Sequence, residues 1–180
     1  MRIGWTTAQA STFSIAIREA TVADSDQLAQ LVSDLGYRTS SSQMHMRLAS
    51  IVGDHDYQTL VACDGDEIVG FIGTRVGPLY ESDGLYGQIM VLAVTRVRQR
   101  GGIGRLLMQA AEANLIQRGA RVLVVTSGNH RTDAHAFYEK NWWTRDSVQP
   151  SGGSTHDSPA GQHWLKKLVE CFRECLFSRA

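Results

Sequence analysis

Apolar residues recur through most of the chain with two different spacings. Runs that alternate with polar residues or are continuously apolar are typical of β-strands, and spacings of three and four are typical of amphipathic helices. The strand-like runs are residues 14–18, 59–63, 67–76, 85–94 and 121–126. The helix-like runs are residues 28–35, 44–51 and 106–115, with a short helix expected at residues 133–140. The pattern predicts a mixed α/β fold with one strand–helix–strand crossover.

Turn and cap residues support these boundaries. Thr21 stands three residues before Asp24, a variant of the capping box, and Gly36 follows the first helix. The Asp-Gly-Asp sequence at residues 64–66 predicts a hairpin between the second and third strands. Gly119 stands where the third helix should end.

The two ends of the chain lack this pattern. Residues 1–13 have no apolar run of the signal-peptide kind and are expected to form a flexible arm. Residues 147–161 are rich in Ser, Gly and Pro, and apolar residues from Trp164 to Leu176 predict a terminal helix that packs on the domain or on a second subunit of a homodimer. We therefore expect one domain at residues 14–146, followed by an atypical linker and C-terminal helix at residues 147–180.

The composition excludes several classes of protein. The 180 residues include 18 Lys and Arg against 18 Asp and Glu, and 43% are hydrophobic. These values are typical of a folded chain, and the zero net charge argues against a basic nucleic-acid or membrane-surface binder. Three cysteines without a metal-ligand spacing predict neither a disulfide framework nor a metal site. No run of about 18 apolar residues is present, so we expect a soluble cytoplasmic protein without a membrane partner.

A glycine-rich loop at residues 99–104 lies between an apolar strand and an amphipathic helix. Unpaired N–H groups and the helix dipole make such a position suitable for phosphate, which glycines allow to approach the backbone closely. A dinucleotide fingerprint would need a further glycine where Leu107 stands, and no P-loop sequence is present. A purely structural glycine turn and an RNA-binding arginine–glycine segment remain alternatives at this point.

The loop resembles a known family motif. Gln99-x-x-Gly102-x-Gly104 is similar to the Gln/Arg-x-x-Gly-x-Gly/Ala motif of the GNAT N-acetyltransferases, and residues 127–131 and 134–140 resemble that family's next strand end and its tyrosine-bearing helix. The resemblance implies a mixed sheet of six or seven strands with about four helices. It also implies that two parallel central strands, residues 85–94 and 121–126, splay apart.

The resemblance further implies that acetyl-CoA enters between the splayed strands as a co-substrate, without a metal. The implied cofactor-binding residues are Leu92, Ala93, Val94, Gln99, Arg100, Gly101, Gly102, Ile103, Gly104, Arg105, Ser127, His130 and His135. The backbone of residues 92–94 would pair with the pantetheine arm, and the amides of residues 99–105 would hold the pyrophosphate.

The implied reaction is direct transfer of acetyl to a primary amine. Tyr138 matches the family position for the acid that protonates the leaving thiolate, although a buried helix aromatic is the structural alternative. Glu81 and Tyr86, near the start of the central strand, are candidates for the group that takes the proton from the amine. The leading interpretation is an N-acetyltransferase acting on a small-molecule amine. A protein lysine or N-terminal acetyltransferase and a non-catalytic acyl-CoA sensor are the alternatives.

Two features depart from the family pattern. Trp142 stands where the family usually has a glycine, and no equivalent of the family's final strand is evident after Arg145. The charges are also uneven, since residues 1–95 carry 5 basic and 11 acidic side chains and residues 96–180 carry 13 and 7. We expect the acidic half to attract a cationic amine and the basic half to hold an anionic cofactor.

Overall fold

A seven-stranded sheet forms the centre of the computed structural model, which describes residues 14–80, 83–128, 134, 136–138, 144–146 and 161–167. The strands are β1 Ala16–Glu19, β2 Tyr57–Asp64, β3 Glu67–Pro78, β4 Leu85–Val94, β5 Ala120–Gly128, β6 Thr144–Asp146 and β7 Gly161–Lys167. Their order in the sheet is β1-β2-β3-β4-β5-β7-β6. Every neighbouring pair is antiparallel except β4 and β5, which are parallel. The predicted mixed sheet and its crossover are confirmed.

Three α-helices, α1 Ser25–Asp34, α2 Ser41–Ile51 and α3 Ile103–Gln117, join these strands, and residues 134 and 136–138 are also helical. The start of α2 is fixed by a capping box, in which the Gln43 N–H donates to Ser40 Oγ at 3.3 Å and the Ser40 N–H donates to Gln43 Oε1 at 3.0 Å. No helix in the described part of the chain has the length and apolar character needed to cross a bilayer.

The helices cover opposite faces of the sheet. Leu107, Ala111 and Leu115 of α3 pack with alternate strand residues in one cluster, whereas α1 and α2 pack against the other face in a second cluster. The α3 contact is close, because a Cβ on Gly70 of β3 would lie 3.2 Å from Leu107 Cδ1 and 2.8 Å from the Ala93 carbonyl oxygen. The period-2 alternation of the strands therefore supplies two cores from one sheet.

An ion pair links β1 to the turn that precedes α1. Nη1 and Nη2 of Arg18 donate to the two carboxylate oxygens of Asp24, each at 2.8 Å. The same carboxylate accepts the Thr21 N–H at 2.7 Å, as the capping-box variant predicts. These donors hold the pKa of Asp24 at about 2, below its usual 3.8, and the carboxylate in turn raises the pKa of Arg18.

The C-terminal part of the sheet differs from the linker and helix that the sequence pattern predicts. Residues 161–167 form β7, so the predicted terminal helix is wrong where it covers residues 164–167; the rest of that helix lies outside the described residues. The final strand, for which the sequence showed no evident equivalent after Arg145, is present: β7 pairs with β5 and, with β6 at Thr144–Asp146, completes the seven-stranded sheet. Seven positions of β5, from Val122 to Gly128, pair with β7. Pairing with an open strand edge overrides an apolar spacing that would also suit a helix.

Candidate active site

The two parallel strands diverge at a bulge. The described register of β4 with β5 runs from Leu85 opposite Ala120 to Ile89 opposite Val125 and ends there. On the other side of β4, Ile89 pairs with Thr74 and Val91 pairs with Gly73, so Met90 is the extra residue of a β-bulge. A bulge bends its strand and increases the local twist. The end of β4 is thereby turned away from β5, which continues beyond Val125 paired with β7 on its other edge.

The divergence opens into one cleft of about 1240 Å³. All six residues from Ile89 to Val94 line it, together with α1 and α2 on one side and the first turn of α3 and the helical residues 134 and 136–138 on the other. Pockets for a single small ligand usually have volumes of about 300–1,000 Å³. The cleft is large enough for two ligands that meet at the splay.

The loop before α3 presents its backbone to this cleft. Arg100, with φ 65°, and Gly102, with φ 84°, both have left-handed backbone conformations. Such conformations expose consecutive N–H groups in a concave nest, and the first-turn amides of α3 lack partners within the helix. Arg100, Gly102, Gly104 and Arg105 all line the cleft. The backbone conformation and the two arginines make this loop suited to an anion such as pyrophosphate.

Two side chains hold the loop in this conformation. Gln99 Nε2 donates to the Val94 carbonyl oxygen at 3.2 Å, which ties the loop to the end of β4. Arg98 forms an ion pair with Asp64 at the end of β2, with Nη2 and Oδ2 2.5 Å apart. Because both anchors lie on the sheet, the loop is positioned relative to the splayed strands before any ligand binds.

Tyr138 lies between the cleft and the α3-side core. The residue is only 6% exposed, belongs to the same apolar cluster as Ile89 and Val125, and lines the cleft. Its ring meets that of Phe137 edge-on, with centroids 5.5 Å apart. The same Phe137 ring lies 3.5 Å from where a Cβ on Gly104 would be, an ordinary van der Waals distance, so Phe137 packs beside the start of α3.

Comparison with known proteins agrees with this geometry. The model of the family described as the acetyltransferase (GNAT) family matches residues 25–142, well over half of the chain. The chain belongs to the GNAT acetyltransferase family. It is 29% identical over 139 residues to YhfO, an uncharacterised N-acetyltransferase of Bacillus subtilis, covering 73% of this chain and 91% of that protein.

Solved structures show the same fold. A GNAT family acetyltransferase from Staphylococcus aureus is similar with a TM-score of 0.62 and 24% identity, covering 81% of this chain and 99% of the other. The PaiA N-acetyltransferase of Thermoplasma acidophilum, solved in complex with coenzyme A, is similar with a TM-score of 0.66 and 16% identity, covering 86% and 99%. The resemblance inferred from the glycine loop is therefore confirmed.

The structure brings most of the expected GNAT site residues together and leaves others apart. Leu92, Ala93 and Val94 line the cleft with Tyr138 and with five of the loop residues, Gln99, Arg100, Gly102, Gly104 and Arg105. Gly101 and Ile103 do not line it, and Ile103 is buried in the α3-side core. Tyr86 does not line the cleft; its ring lies against β3, where a Cβ on Gly77 would be 2.9 Å from the phenolic oxygen.

Of the remaining predicted site residues, one lies on β5 and three lie outside the described part of the chain. Ser127 is on β5 beyond Val125, where β5 no longer pairs with β4. Glu81, His130 and His135 lie outside the described residues.

The α1 and α2 wall of the cleft was not identified from the sequence. The pattern placed Met44, Leu48 and Ile51 on one helical stripe, and the structure shows that this stripe faces the cleft with Arg47 among them. Arg47 stands three residues after Met44 and four before Ile51, a spacing that places it on the same helix face. A charged residue on a helix usually faces solvent, so this spacing was not taken as a sign of a binding site.

The charges of the cleft differ from the expectation drawn from the two halves of the chain. Among the described residues, the charged side chains that line the cleft are Arg47, Arg98, Arg100 and Arg105, and none is acidic. The acidic residues of the first half that the structure describes are thus placed elsewhere. The charged side chains that line the described cleft are therefore all basic, although Arg98 is paired with Asp64.

Proposed function

We propose that this GNAT acetyltransferase moves acetyl from acetyl-CoA to the primary amine of a small molecule by direct attack on the thioester. The observation that carries the proposal is the single cleft that joins the anion-binding loop before α3 to an apolar wall on α1 and α2. One end suits a phosphorylated carrier, and the other has room for an acceptor. Family membership and the coenzyme A bound by the Thermoplasma relative support the choice of carrier.

The residues of the cofactor side fit acetyl-CoA. The amides from Gln99 to Arg105 and the Arg100 and Arg105 side chains would hold the pyrophosphate at the positive end of α3. Beyond Ile89, the β4 edge that faces β5 has no strand partner among the described residues. The backbone of Leu92–Val94 would there bind the extended pantetheine arm as an added strand does. Ser127, His130 and His135 complete this proposed set.

When bound, acetyl-CoA supplies a thioester carbonyl that a neutral amine can attack. The N–C bond forms while the C–S bond breaks, so the amine must lose one proton and the leaving sulfur must gain one. Tyr138, buried at the side of the cleft, is proposed as the acid that gives the sulfur its proton.

A second group must take the proton that the amine loses. Glu81 and Tyr86 remain the candidates from the sequence, and the position of Tyr86 against Gly77 favours a route through water over direct contact. An alkyl ammonium has a pKa of about 10.4, as in lysine. The apolar wall of the cleft disfavours the charged ammonium form, so it would lower this pKa and reduce the demand on a base.

The decisive experiment measures coenzyme A release from acetyl-CoA with a panel of small primary amines and of lysine and N-terminal peptides. Turnover with small amines is expected. Turnover confined to peptides would instead indicate a protein acetyltransferase. Coenzyme binding, measured by calorimetry, without release for any acceptor would indicate a non-catalytic sensor.

A further inference from the structure

Helix α2 presents a mixed stripe to the cleft. Met44, Arg47, Leu48 and Ile51 line it at spacings of three and four, so they occupy one helix face. Three of the four are apolar, and Met44 and Leu48 are buried. Arg47 is exposed and is the charged member of this otherwise apolar helix face.

The surroundings of this stripe are uncharged and mostly apolar or aromatic. The other residues of α1, β2, β3 and the α1–α2 loop on this side of the cleft are Leu28, Val32, Leu35, Tyr37, Tyr57, Gln58, Thr59, Phe71, Gly73 and Thr74. None of them carries a formal charge. A ligand that occupies this side must therefore offer an apolar body to most of the wall.

The Arg47 guanidinium makes a hydrogen bond within the protein and has further N–H donors for a ligand. Nη1 donates to Thr39 Oγ1 at 3.1 Å, which ties the side chain to the loop before α2. A guanidinium has five N–H donors in a planar fork that matches two oxygens of a carboxylate or phosphonate. No acidic side chain lines the cleft in the described part of the chain, so nothing described there competes for this fork.

We infer that the acceptor is a primary amine that also carries an anionic group on an apolar body, and that Arg47 binds this anion. The inference rests on the proposed function, because it assigns the α1 and α2 side of the cleft to the acceptor. Arg98, Arg100 and Arg105 lie in or beside the loop at the other side, so among the described residues of the cleft Arg47 is the cation that remains for the acceptor. An apolar α-amino acid has this chemistry; its phosphonate analogue shares it.

The experiment compares acceptors that differ in the anionic group. Leucine and phenylalanine are paired with isopentylamine and phenethylamine, which lack the carboxylate, and the phosphonate analogue of leucine distinguishes the two anions. Each is assayed for coenzyme A release with wild-type protein, with Arg47→Gln and with Arg47→Lys. Arg38→Gln is the matched control, because Arg38 is an exposed arginine near α2 that does not line the cleft.

Wild-type protein should favour the anionic acceptors. Arg47→Gln should raise their KM by about tenfold, since it removes a hydrogen bond between charged groups, and should change the KM of the neutral amines by less than about twofold. Arg47→Lys should restore part of the loss, because it keeps the charge without the planar fork. Arg38→Gln should behave as wild type.

A second readout separates this inference from the proposed function. Calorimetry of each acceptor against protein saturated with coenzyme A measures binding without turnover. If leucine binds in a manner that depends on Arg47 but no amine is acetylated, the proposed function is contradicted and the anion site is supported. Acetylation of both members of each pair with equal response to Arg47→Gln would overturn the anion site and keep the function. Turnover of peptides alone would also overturn it.

Discussion

The Arg18 guanidinium and the Asp24 carboxylate meet through two hydrogen bonds of 2.8 Å, which join strand β1 to the turn before α1. Asp24 is 8% exposed, and its carboxylate also accepts the Thr21 N–H. The pKa of Asp24 is about 2 instead of 3.8 because these donors favour the ionised form. Because the pKa of Asp24 is lower in the folded than in the unfolded protein, its ionised carboxylate stabilises the fold fully at pH values above the unfolded-state pKa. This stabilisation is lost as the pH falls through the folded-state pKa.

Replacement of Asp24 by Asn should therefore destabilise the protein by about 2 kcal/mol at pH 7. The difference from wild type should shrink as the pH falls from about 5 towards 2, because the wild-type carboxylate is then protonated as well. Urea unfolding at several pH values measures both effects. Asp26→Asn is the control, since Asp26 is an exposed acidic residue in the first turn of α1. A pH-independent difference would show that packing, and not the charge of Asp24, is responsible.

Replacement of Gly102 by Ala should affect coenzyme binding beyond its effect on stability. A Cβ at Gly102 meets nothing within 4 Å, but the φ of 84° makes any side chain strained by about 1–2 kcal/mol. A Cβ at Gly53 would also meet nothing within 4 Å, and its φ of 94° would strain a side chain in the same way, but Gly53 does not line the cleft. Both variants should lose similar stability in urea unfolding.

Only Gly102→Ala should weaken coenzyme A binding in calorimetry, by about tenfold or more, because its Cβ stands where the phosphate must approach the backbone. Equal coenzyme affinity in Gly102→Ala and Gly53→Ala would remove this loop from the cofactor site.

Replacement of Tyr138 by Phe should separate turnover from binding. It removes one oxygen and keeps the ring that packs edge-on against Phe137. If Tyr138 is the acid, turnover should fall by about 100-fold or more while coenzyme A affinity changes by less than about twofold. Tyr80→Phe, at a fully exposed tyrosine outside the cleft, is the matched control. Comparable turnover in both variants would assign Tyr138 a packing role alone.

Local signals explain what could be predicted. The loop glycines, the capping residues and the β4 run depend on short-range backbone preferences, and the structure confirms a strand at Leu85–Val94 and a helix from Ile103. The Met90 bulge could not be predicted in the same way, because it depends on the register between β3 and β4. The role of the bulge in opening the cleft is therefore a property of the assembled sheet.

The basic lining of the cleft could not be predicted from the sequence for a similar reason. Totals over halves of the sequence suggested an acidic surface for an amine, but the folded cleft combines Arg47 from the first half with arginines from the loop before α3. Arg47 has no motif around it. Only the packing of α2 against the sheet shows that its spacing from Met44 and Ile51 turns it towards the cleft.

The strand missed by the sequence analysis leads to the last prediction. The periodicity from Trp164 onward suits a helix, but the structure pairs β7 with seven residues of β5 and with all three of β6. A chain that ends after residue 160 would leave open the edge of β5 that lies opposite β4. It should melt at least about 10 °C lower than the full chain and aggregate through that edge.

A chain that ends after Lys167 keeps β7 and serves as the matched control. Calorimetric melting and light scattering of the two shortened chains distinguish the contribution of β7 from that of the residues after it. We expect the longer one to melt within about 3 °C of the full chain and to retain coenzyme A binding. If the chain ending at residue 160 melts and binds coenzyme as the full chain does, β7 does not stabilise the β5 edge.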